Sequence, residues 1–255
     1  MKRYEGFLID LDGTVFRGKQ PIVEAVQFIN ELKARGLPYL FVTNNSMKRP
    51  EDVVALLTEI GVPATKEDVI TSSVATAKYI SDMKRHARLY VVGEVGLMTA
   101  LRDEGHVIVD DDPEFVVMGL DRQVTYEKLM KASQFVRNGA TFIATNNDVA
   151  LPTENGLIPG NGSLVSVVTV STGIEPTFIG KPEPIIIEQA LELLGTAKEK
   201  TIMIGDNYHT DILAGIRAGI DTALIYTGVT TKEQVKTYEK KPTYALSSLA
   251  EWEFR

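Results

Sequence analysis

Short hydrophobic runs alternate with amphipathic segments along most of the chain. The first run, residues 7–9 (Phe-Leu-Ile), contains no polar position, which is typical of a strand buried on both faces. Hydrophobic residues between Ile22 and Leu32 then recur at helical spacing, and Gly36 marks the end of that helix. Alternation of strands with helices predicts an α/β fold with a parallel sheet.

The same alternation continues towards the C-terminus. A polar, Gly- and Pro-rich passage from 152 to 162 interrupts it, and Pro182 is predicted in the first turn of a helix that extends to Leu194. Further strands are predicted at 38–42, 69–70, 89–92, 107–109, 115–118, 141–145, 201–204 and 222–226, and further helices at 53–60, 71–80, 95–102, 126–136, 164–170 and around Val235.

Polar side chains follow several of the predicted strands. Asp10 and Asp12 follow the first strand, and Asp206 and Asp211 follow the strand at 201–204. Side chains alternate along a strand, so Asp10 and Asp12 are expected to point to one side. If the strands are parallel neighbours, these four carboxylates meet at one sheet edge, where α/β proteins bind ligands. Taken singly, each is also explained as an ordinary turn residue, or as a helix cap at Asp211.

Converging carboxylates indicate a divalent cation. Like charges about 4 Å apart repel by roughly 4 kcal/mol at an effective dielectric constant of 20. The ligands are all oxygen and the sequence has no cysteine, which favours Mg²⁺ over zinc. Lys181 adds one positive charge, and Thr43 with Asn44 ends the strand at 38–42 with groups that can bind an anion.

Composition excludes several classes of protein. The 255 residues carry a net charge of −7, which argues against a general nucleic-acid or anionic-membrane surface. No hydrophobic run approaches the ~18 residues of a membrane span, and the charged start leads into a strand rather than a signal sequence. Without cysteine there are no disulfides. We therefore expect a cytoplasmic protein. Its 44% of hydrophobic residues is enough for a sizeable core.

Four short motifs, taken in order, resemble those of the haloacid dehalogenase (HAD)-like hydrolase superfamily. They are Asp10-Leu11-Asp12-Gly13-Thr14, Thr43-Asn44-Asn45, Lys181-Pro182, and Gly205-Asp206-Asn207 with Asp211. Little more than a loop and a helix fits between the first two motifs, whereas a domain-sized stretch separates the second from the third. This late insertion resembles the type IIA, NagD-like and p-nitrophenyl-phosphatase-like subfamily.

The resemblance implies a Rossmann-like core with a central parallel sheet and helices on both faces, and an inserted smaller α/β cap domain of type C2. The core is expected at 1–76 and 179–255, and the cap at 77–178. The implied function is a Mg²⁺-dependent phosphatase that acts on small phosphorylated metabolites, such as phosphate monoesters, sugar phosphates or nucleotides, through an aspartyl-phosphate.

The resemblance also implies roles for individual residues. Asp10 is the expected nucleophile, Asp12 the general acid and base, and Lys181 a catalytic cation. Phosphate ligands are expected at Gly13, Thr43, Asn44, Asn45 and Lys181. Metal ligands are expected at Asp10, Asp12 (through its backbone carbonyl) and Asp206, and Asn207 and Asp211 are expected to orient the metal's waters. Substrate contacts in the cap are expected at Asn146 and Asp148.

Several alternatives stay open. A phosphotransferase or mutase on the same scaffold, or a non-catalytic metabolite-binding module, would also account for the fold, whereas a dehalogenase is disfavoured because halide displacement does not require Asp12. Asn146 and Asp148 are equally well explained as an ordinary polar turn. The expected partner is a small phosphorylated metabolite, without nucleic acid or membrane, and the chain is expected as a monomer or homodimer. Trp252 is expected to pack rather than bind.

Overall fold

The chain forms two compact units. The computed structural model describes residues 1–153 and 155–254. The first unit consists of Met1–Thr43, Glu51–Ile70 and Lys181–Arg255, and the second of Asn44–Pro50 and Thr71–Gly180. Residues 44–50, 71–76 and 179–180, which the sequence prediction assigns to the core, belong to the second unit. The functional division into a catalytic core and a cap stays a prediction.

Strands and helices alternate through both units, as the hydrophobic pattern predicts. The strands are β1 Gly6–Ile9, β2 Phe16–Arg17, β3 Gln20–Pro21, β4 Tyr39–Thr43, β5 Val69–Thr71, β6 Arg88–Val92, β7 Val107–Ile108, β8 Phe115–Met118, β9 Thr141–Ala144, β10 Ala150–Thr153, β11 Gly156–Pro159, β12 Thr177–Phe178, β13 Thr201–Gly205, β14 Asp221–Ile225 and β15 Tyr244–Leu246. The α-helices are α1 Val23–Ala34, α2 Pro50–Glu59, α3 Ser72–Met83, α4 Val95–Asp103, α5 Tyr126–Arg137, α6 Asn161–Thr172, α7 Pro184–Leu194, α8 Leu213–Ala218 and α9 Lys232–Thr237.

The central sheet of the first unit has the strand order β15-β14-β13-β1-β4-β5. Strand β1 lies in its middle and pairs in parallel with β13 on one side and β4 on the other. All four residues of β1 are buried, as expected for a strand covered on both faces. The prediction of an α/β fold with a central parallel sheet is confirmed.

The core of the first unit packs helix α1 and the C-terminal residues against this sheet. Phe28, Ile29 and Leu32 lie on one face of α1 and are buried with Phe7 and Trp252 in one hydrophobic cluster. Burying side chains of this size contributes roughly 1.5–3 kcal/mol each. This cluster lies on the sheet that carries Asp10, so it fixes the strand from which the site is built.

The second unit has its own sheet and core. The strand order is β12-β9-β8-β6-β7, and β6, β8 and β9 pair in parallel. Helices α5 and α6 contribute Ala132, Val136, Val165 and Val168 to its hydrophobic cluster. Thr71 caps α3, where its side chain accepts a hydrogen bond from the amide of Val74.

One pair of strands has no counterpart in the sequence predictions, and one helix start is predicted wrongly. The antiparallel pair of β10 and β11 overlaps the polar passage from 152 to 162. Most of its side chains are exposed, so it lacks the buried pattern that marks a strand in the sequence. Pro184, not Pro182, occupies the first turn of α7, with Glu183 at the N-cap. The preference of proline for a first helical turn fits either position.

Among the described residues, no helix is both long enough and hydrophobic enough to cross a membrane.

Candidate active site

The candidate site lies at the carboxyl ends of three adjacent strands of the first unit. Asp10 follows β1, Thr43 ends β4, and Asp206 follows β13. Because β13, β1 and β4 are parallel neighbours, their ends meet at one edge of the sheet. The convergence that the sequence predicts for these strands is therefore present.

Lys181 joins two carboxylates at the centre of the site. Its ammonium donates hydrogen bonds to Asp10 Oδ1 at 2.5 Å, to Asp211 Oδ1 at 2.7 Å and to the carbonyl of Val42 at 2.8 Å. The side chain is 2% exposed, so these bonds form away from bulk water. A charge buried to this degree is stable only when it is paired and hydrogen-bonded, as it is here.

Asp206 lies beside this pair and is linked to it through Thr14. The hydroxyl of Thr14 lies 3.3 Å from Asp10 Oδ2 and 3.3 Å from Asp206 Oδ1, within hydrogen-bonding distance of both. A hydroxyl has one proton, so it donates to one of these carboxylates at a time. Thr14 thus bridges two of the predicted site residues.

Burial and neighbouring charges shift the pKa values of Asp10, Asp206 and Lys181. Burial raises the pKa of Asp10 well above its usual value, and the charge of Asp211 adds to the shift while Lys181 opposes it. Burial and the charge of Asp211 raise the pKa of Asp206 to about 6. Burial lowers the pKa of Lys181, but Asp10 and Asp211 together raise it above its usual value, so its ammonium keeps its proton.

These residues suit a divalent cation. Oxygens of Asp10, Asp206 and Asp211 lie within 4.8 Å of one another, and all three side chains are buried. With Lys181 protonated, three carboxylates and one ammonium carry a net charge of −2 when fully ionised. An all-oxygen donor set of this charge fits the ligand preference of Mg²⁺, and a cation would offset the repulsion that raises the pKa values.

Gly13 lets the Asp206 carboxylate approach the loop that follows β1. Its φ is +90°, a conformation that favours glycine, and a Cβ there would lie 2.6 Å from Asp206 Oδ2. The chain turns back at this point, since the amide of Gly13 donates to the carbonyl of Phe16 at 2.7 Å. Gly13 is thus placed beside the carboxylate cluster, where the sequence predicts a phosphate ligand.

Asp211 belongs to the cluster and does not cap α8. It lies in a π-helical turn, residues 208–212, and its Oδ2 accepts the amide of Asn207 at 3.0 Å. The Asn207 side chain caps that turn by accepting the amide of His209. The backbone amide of Asn207 therefore orients the Asp211 carboxylate, while the Asn207 side chain caps the π-helical turn.

Asp12 lies apart from the buried carboxylates. Its side chain is exposed, and the described carboxylates that lie close enough together to hold one cation are those of Asp10, Asp206 and Asp211. The sequence predicts a metal contact through the backbone carbonyl of Asp12, which leaves its carboxylate free for proton transfer. Both roles stay predictions.

The remaining predicted phosphate ligands are divided between the units. Thr43 is buried in the first unit, whereas Asn44 and Asn45 belong to the second. The Asn45 side chain accepts the amides of Met47 and Lys48, so it supports the following turn. The Asn44 amide donates to Asp148 Oδ2 at 2.9 Å.

The two predicted cap contacts interact with each other. Asn146 donates to Asp148 Oδ2 at 2.5 Å, and its own side-chain oxygen accepts the hydroxyl of Thr145. Asn161 donates to the carbonyl of Asn146 and holds it from the start of α6. Within the second unit, Asn146 and Asp148 therefore form one network with Asn44, and their contact with substrate stays a prediction.

Two residues that contact Asp206, Gly228 and Val229, belong to none of the sequence motifs. Val229 donates its amide to Asp206 Oδ2 at 2.7 Å, and a Cβ on Gly228 would lie 1.9 Å from the same oxygen. Both lie beyond β14, and no local pattern links them to Asp206. Gly228 and Val229 reach Asp206 only because β14, which precedes them, pairs with β13, which precedes Asp206.

Comparisons with known sequences agree with the four motifs. The family description "Haloacid dehalogenase-like hydrolase" matches residues 7–106, and a second description of HAD-hydrolase-like proteins matches residues 178–252. The chain is 54% identical to the 5′-nucleotidase YutF of Bacillus subtilis over 99% of this chain and 98% of that protein. It is 53% identical to an acid sugar phosphatase of Staphylococcus aureus, over 98% of this chain and 97% of the relative.

Solved structures show the same architecture. A thermostable NPPase double mutant from Geobacillus stearothermophilus superposes with a TM-score of 0.94 at 52% identity, and both chains are covered completely. NagD from Escherichia coli K-12 superposes with a TM-score of 0.93 at 32% identity, over 99% of each chain. The resemblance to NagD-like and p-nitrophenyl-phosphatase-like proteins that the motifs indicate is confirmed.

Proposed function

Since this chain belongs to the haloacid dehalogenase-like hydrolase family and is a phosphatase of that family, we propose that it hydrolyses small phosphate monoesters with Mg²⁺ through an aspartyl-phosphate on Asp10. The observation that carries this proposal is the contact of Asp10 with Lys181 in a cluster with Asp206 and Asp211. A carboxylate held beside a cation, at the edge of a parallel sheet, is suited to attack phosphorus.

Asp10 supplies the nucleophile in the first step. One of its oxygens forms a bond to phosphorus, and the bond between phosphorus and the ester oxygen breaks. Asp12 gives its proton to that leaving oxygen, which is released as an alcohol. Hydrogen bonds from Lys181 and Thr14 hold the Asp10 carboxylate in one orientation for this attack.

Water completes the reaction in the second step. Asp12, now ionised, takes a proton from the water that attacks phosphorus, and the bond between phosphorus and Asp10 breaks. Inorganic phosphate leaves and Asp10 regains its carboxylate. The two steps balance, because Asp12 recovers the proton that it gave to the leaving group.

Asp10, Asp206 and the carbonyl of Asp12 would hold Mg²⁺, and Asp211 with Asn207 would orient its waters. When bound, Mg²⁺ offsets the charge of the transferring phosphoryl group. Lys181 adds a fixed positive charge beside Asp10, and Thr43, Asn44 and Asn45 stay predicted phosphate ligands. Such positioning and charge complementarity provide most of the catalysis in phosphoryl transfer.

The proposed substrates are nucleoside monophosphates and sugar phosphates. Relatives of nearly equal identity to this chain are named as a 5′-nucleotidase and as an acid sugar phosphatase. Both names describe monoesters with a small polar leaving group. A cytoplasmic location and a monomeric or homodimeric state stay predictions from the sequence.

The test compares Asp10→Asn with wild type on both substrate classes and on an aryl phosphate, with Mg²⁺ and with EDTA. We expect Asp10→Asn to lower kcat by about 10³-fold or more, because the amide is a poor nucleophile. Asp103→Asn changes an exposed carboxylate at the end of α4 and serves as the matched control.

Full activity of Asp10→Asn would refute the assignment of Asp10 as the nucleophile. Activity confined to phosphodiesters would refute the substrate class, and full activity in EDTA would refute the metal requirement. Adding alcohol acceptors distinguishes the remaining alternative, since a phosphotransferase would deliver most of the phosphate to the acceptor rather than to water.

A further inference from the structure

The carboxylate of Asp206 lies between two glycines from distant parts of the chain. A Cβ on Gly13 would lie 2.6 Å from Asp206 Oδ2, and a Cβ on Gly228 would lie 1.9 Å from that oxygen and 2.5 Å from Cγ. Real Cβ atoms essentially never approach another heavy atom so closely. The Asp206 carboxylate thus occupies a space that exists only because both neighbours lack a side chain.

The loop of residues 227–230, which follows β14, also holds Asp206 by hydrogen bonds. The amide of Val229 donates to Asp206 Oδ2 at 2.7 Å, and the amide of Thr230 donates to the Asp206 carbonyl at 3.1 Å. The side chain and the backbone of Asp206 therefore both contact this loop. A carboxylate that accepts a backbone amide in this way has its orientation fixed.

The same loop is attached to the segment that follows β1. Thr227 donates its hydroxyl to the carbonyl of Gly13 at 2.6 Å, and Arg17 donates its Nε to the carbonyl of Thr227 at 2.6 Å. At the other end, the buried Thr230 hydroxyl accepts the amide of Tyr208 at 2.8 Å. The loop of residues 227–230 thus connects the loops after β1 and β13, which carry the site residues.

We propose that the loop of residues 227–230 is a positioning element for Asp206, in which Gly228 provides the space for the carboxylate and the Val229 amide fixes its direction towards the metal. This inference rests on the proposed role of Asp206 as a metal ligand. Mg²⁺ requires near-ideal octahedral geometry at 2.0–2.1 Å, so displacing one carboxylate weakens binding. Residues that support metal ligands typically contribute 10–100-fold to affinity.

The test measures Mg²⁺ binding by calorimetry to metal-free Gly228→Ala, and needs no turnover. We expect its Kd for Mg²⁺ to rise by roughly 10–100-fold, because the new methyl group must push the Asp206 carboxylate aside. At saturating Mg²⁺, the kcat of this variant should return close to that of wild type, although its Kd for Mg²⁺ stays raised.

Gly6→Ala is the matched control. A Cβ at Gly6 would lie 2.3 Å from Thr196 Oγ1, so it also introduces a clash, but at the opposite end of β1 from Asp10. It should lower the melting temperature of the metal-free protein and leave the Kd for Mg²⁺ unchanged. An equal rise of Kd in both glycine variants would overturn the proposal, because the effect would then follow from general destabilisation.

Thr227→Val provides a second measurement, which decides the question if Gly228→Ala does not fold. It keeps the shape of the side chain and removes the hydrogen bond to Gly13. We expect the Kd for Mg²⁺ to rise roughly fivefold, the equivalent of one ordinary hydrogen bond. An unchanged Kd in the folded variants would overturn the proposal.

Asp206→Asn separates this inference from the proposed function. If Asp206→Asn weakens Mg²⁺ binding and Gly228→Ala does not, the loop has no positioning role and the metal site stands. If Asp206→Asn leaves Mg²⁺ binding intact, Asp206 is not a metal ligand, and both the proposed role and this inference are wrong.

Discussion

Lys181 and the carboxylates around it determine the electrostatics of the site. One ammonium faces Asp10 and Asp211 directly, with Asp206 nearby. This single ammonium does not offset all of the negative charge, and in the metal-free protein the pKa values of Asp10 and Asp206 are both raised. Residues that serve a bound cation in this way lower the stability of the metal-free state.

Because the pKa of Asp206 is raised, we predict that the stability of the metal-free protein depends on pH. The Asp206 pKa of about 6 in the folded state exceeds the ordinary value of 3.8, so the folded state binds this proton more tightly. Linkage then requires that its contribution to the free energy of unfolding is present below about pH 4 and is lost as pH rises through about 6. We expect wild type to melt progressively lower than Asp206→Asn over this range.

Thermal unfolding in EDTA, at several values from about pH 4 to about pH 7, measures this difference. Asp103→Asn corrects for the loss of one surface carboxylate, since Asp103 is exposed at the end of α4. If the curves for wild type and Asp206→Asn run parallel across the range, Asp206 does not titrate as described.

At the residue scale, the sequence predicts the groups that carry charge better than the groups that position them. Asp10, Lys181 and Asp206 belong to recognisable motifs, and the structure brings them together. Gly228 and Val229 belong to no motif, and their role depends on which strand pairs with β13. Contacts of that kind arise from tertiary packing and leave no periodic pattern in the sequence.

At the scale of elements, the site depends on β1 being held firmly in the middle of its sheet. Trp252, near the C-terminus, contacts Phe7 of β1 and Phe28 of α1, with ring centroids 5.8 Å and 5.4 Å apart. The ring centroids of Trp252 and Tyr4 are 6.0 Å apart. These aromatic contacts attach the C-terminal segment to the strand that ends in Asp10.

We predict that Trp252→Ala lowers the free energy of unfolding by about 3–5 kcal/mol, because it leaves a large cavity in this cluster. Its Kd for Mg²⁺ should match that of wild type while the protein is folded. Denaturant unfolding provides the measurement, and Leu193→Ala, at a position 59% exposed in α7, is the control expected within about 0.5 kcal/mol of wild type. A loss below about 1 kcal/mol would show that Trp252 does not support the core.

Elements with a buried face could be predicted from the sequence, and those without one could not. Strand β1 follows a continuous hydrophobic run and helix α1 a hydrophobic pattern of helical period, and both form where these patterns indicate. The hairpin of β10 and β11 is largely exposed, so its alternation carries no hydrophobic signal. The sequence does not determine the start of α7, because Pro182 and Pro184 both fit the first turn of a helix and only the structure shows that Pro184 occupies it.

For the whole molecule, the order of motifs and the long insertion after Thr43 indicate both the fold and the family. The parallel sheets of the two units and the relatives that span the full chain agree with that prediction. The choice of substrate could not be predicted, because relatives of nearly equal identity carry names for different phosphate esters. That choice depends on a few side chains rather than on the fold.

Asp10 is proposed to carry the phosphoryl group during turnover, and this covalent species can be trapped. Asp12→Asn is mixed with Mg²⁺ and an aryl phosphate, whose leaving group needs little help from an acid, whereas water attack on the intermediate needs a base. The reaction is quenched in acid and reduced with borohydride, and the peptides are analysed by mass spectrometry. We expect conversion of Asp10 to homoserine, in proportion to the phenol released before steady state. Release of phenol in that phase with Asp10 unmodified, or modification of a different residue, would contradict it.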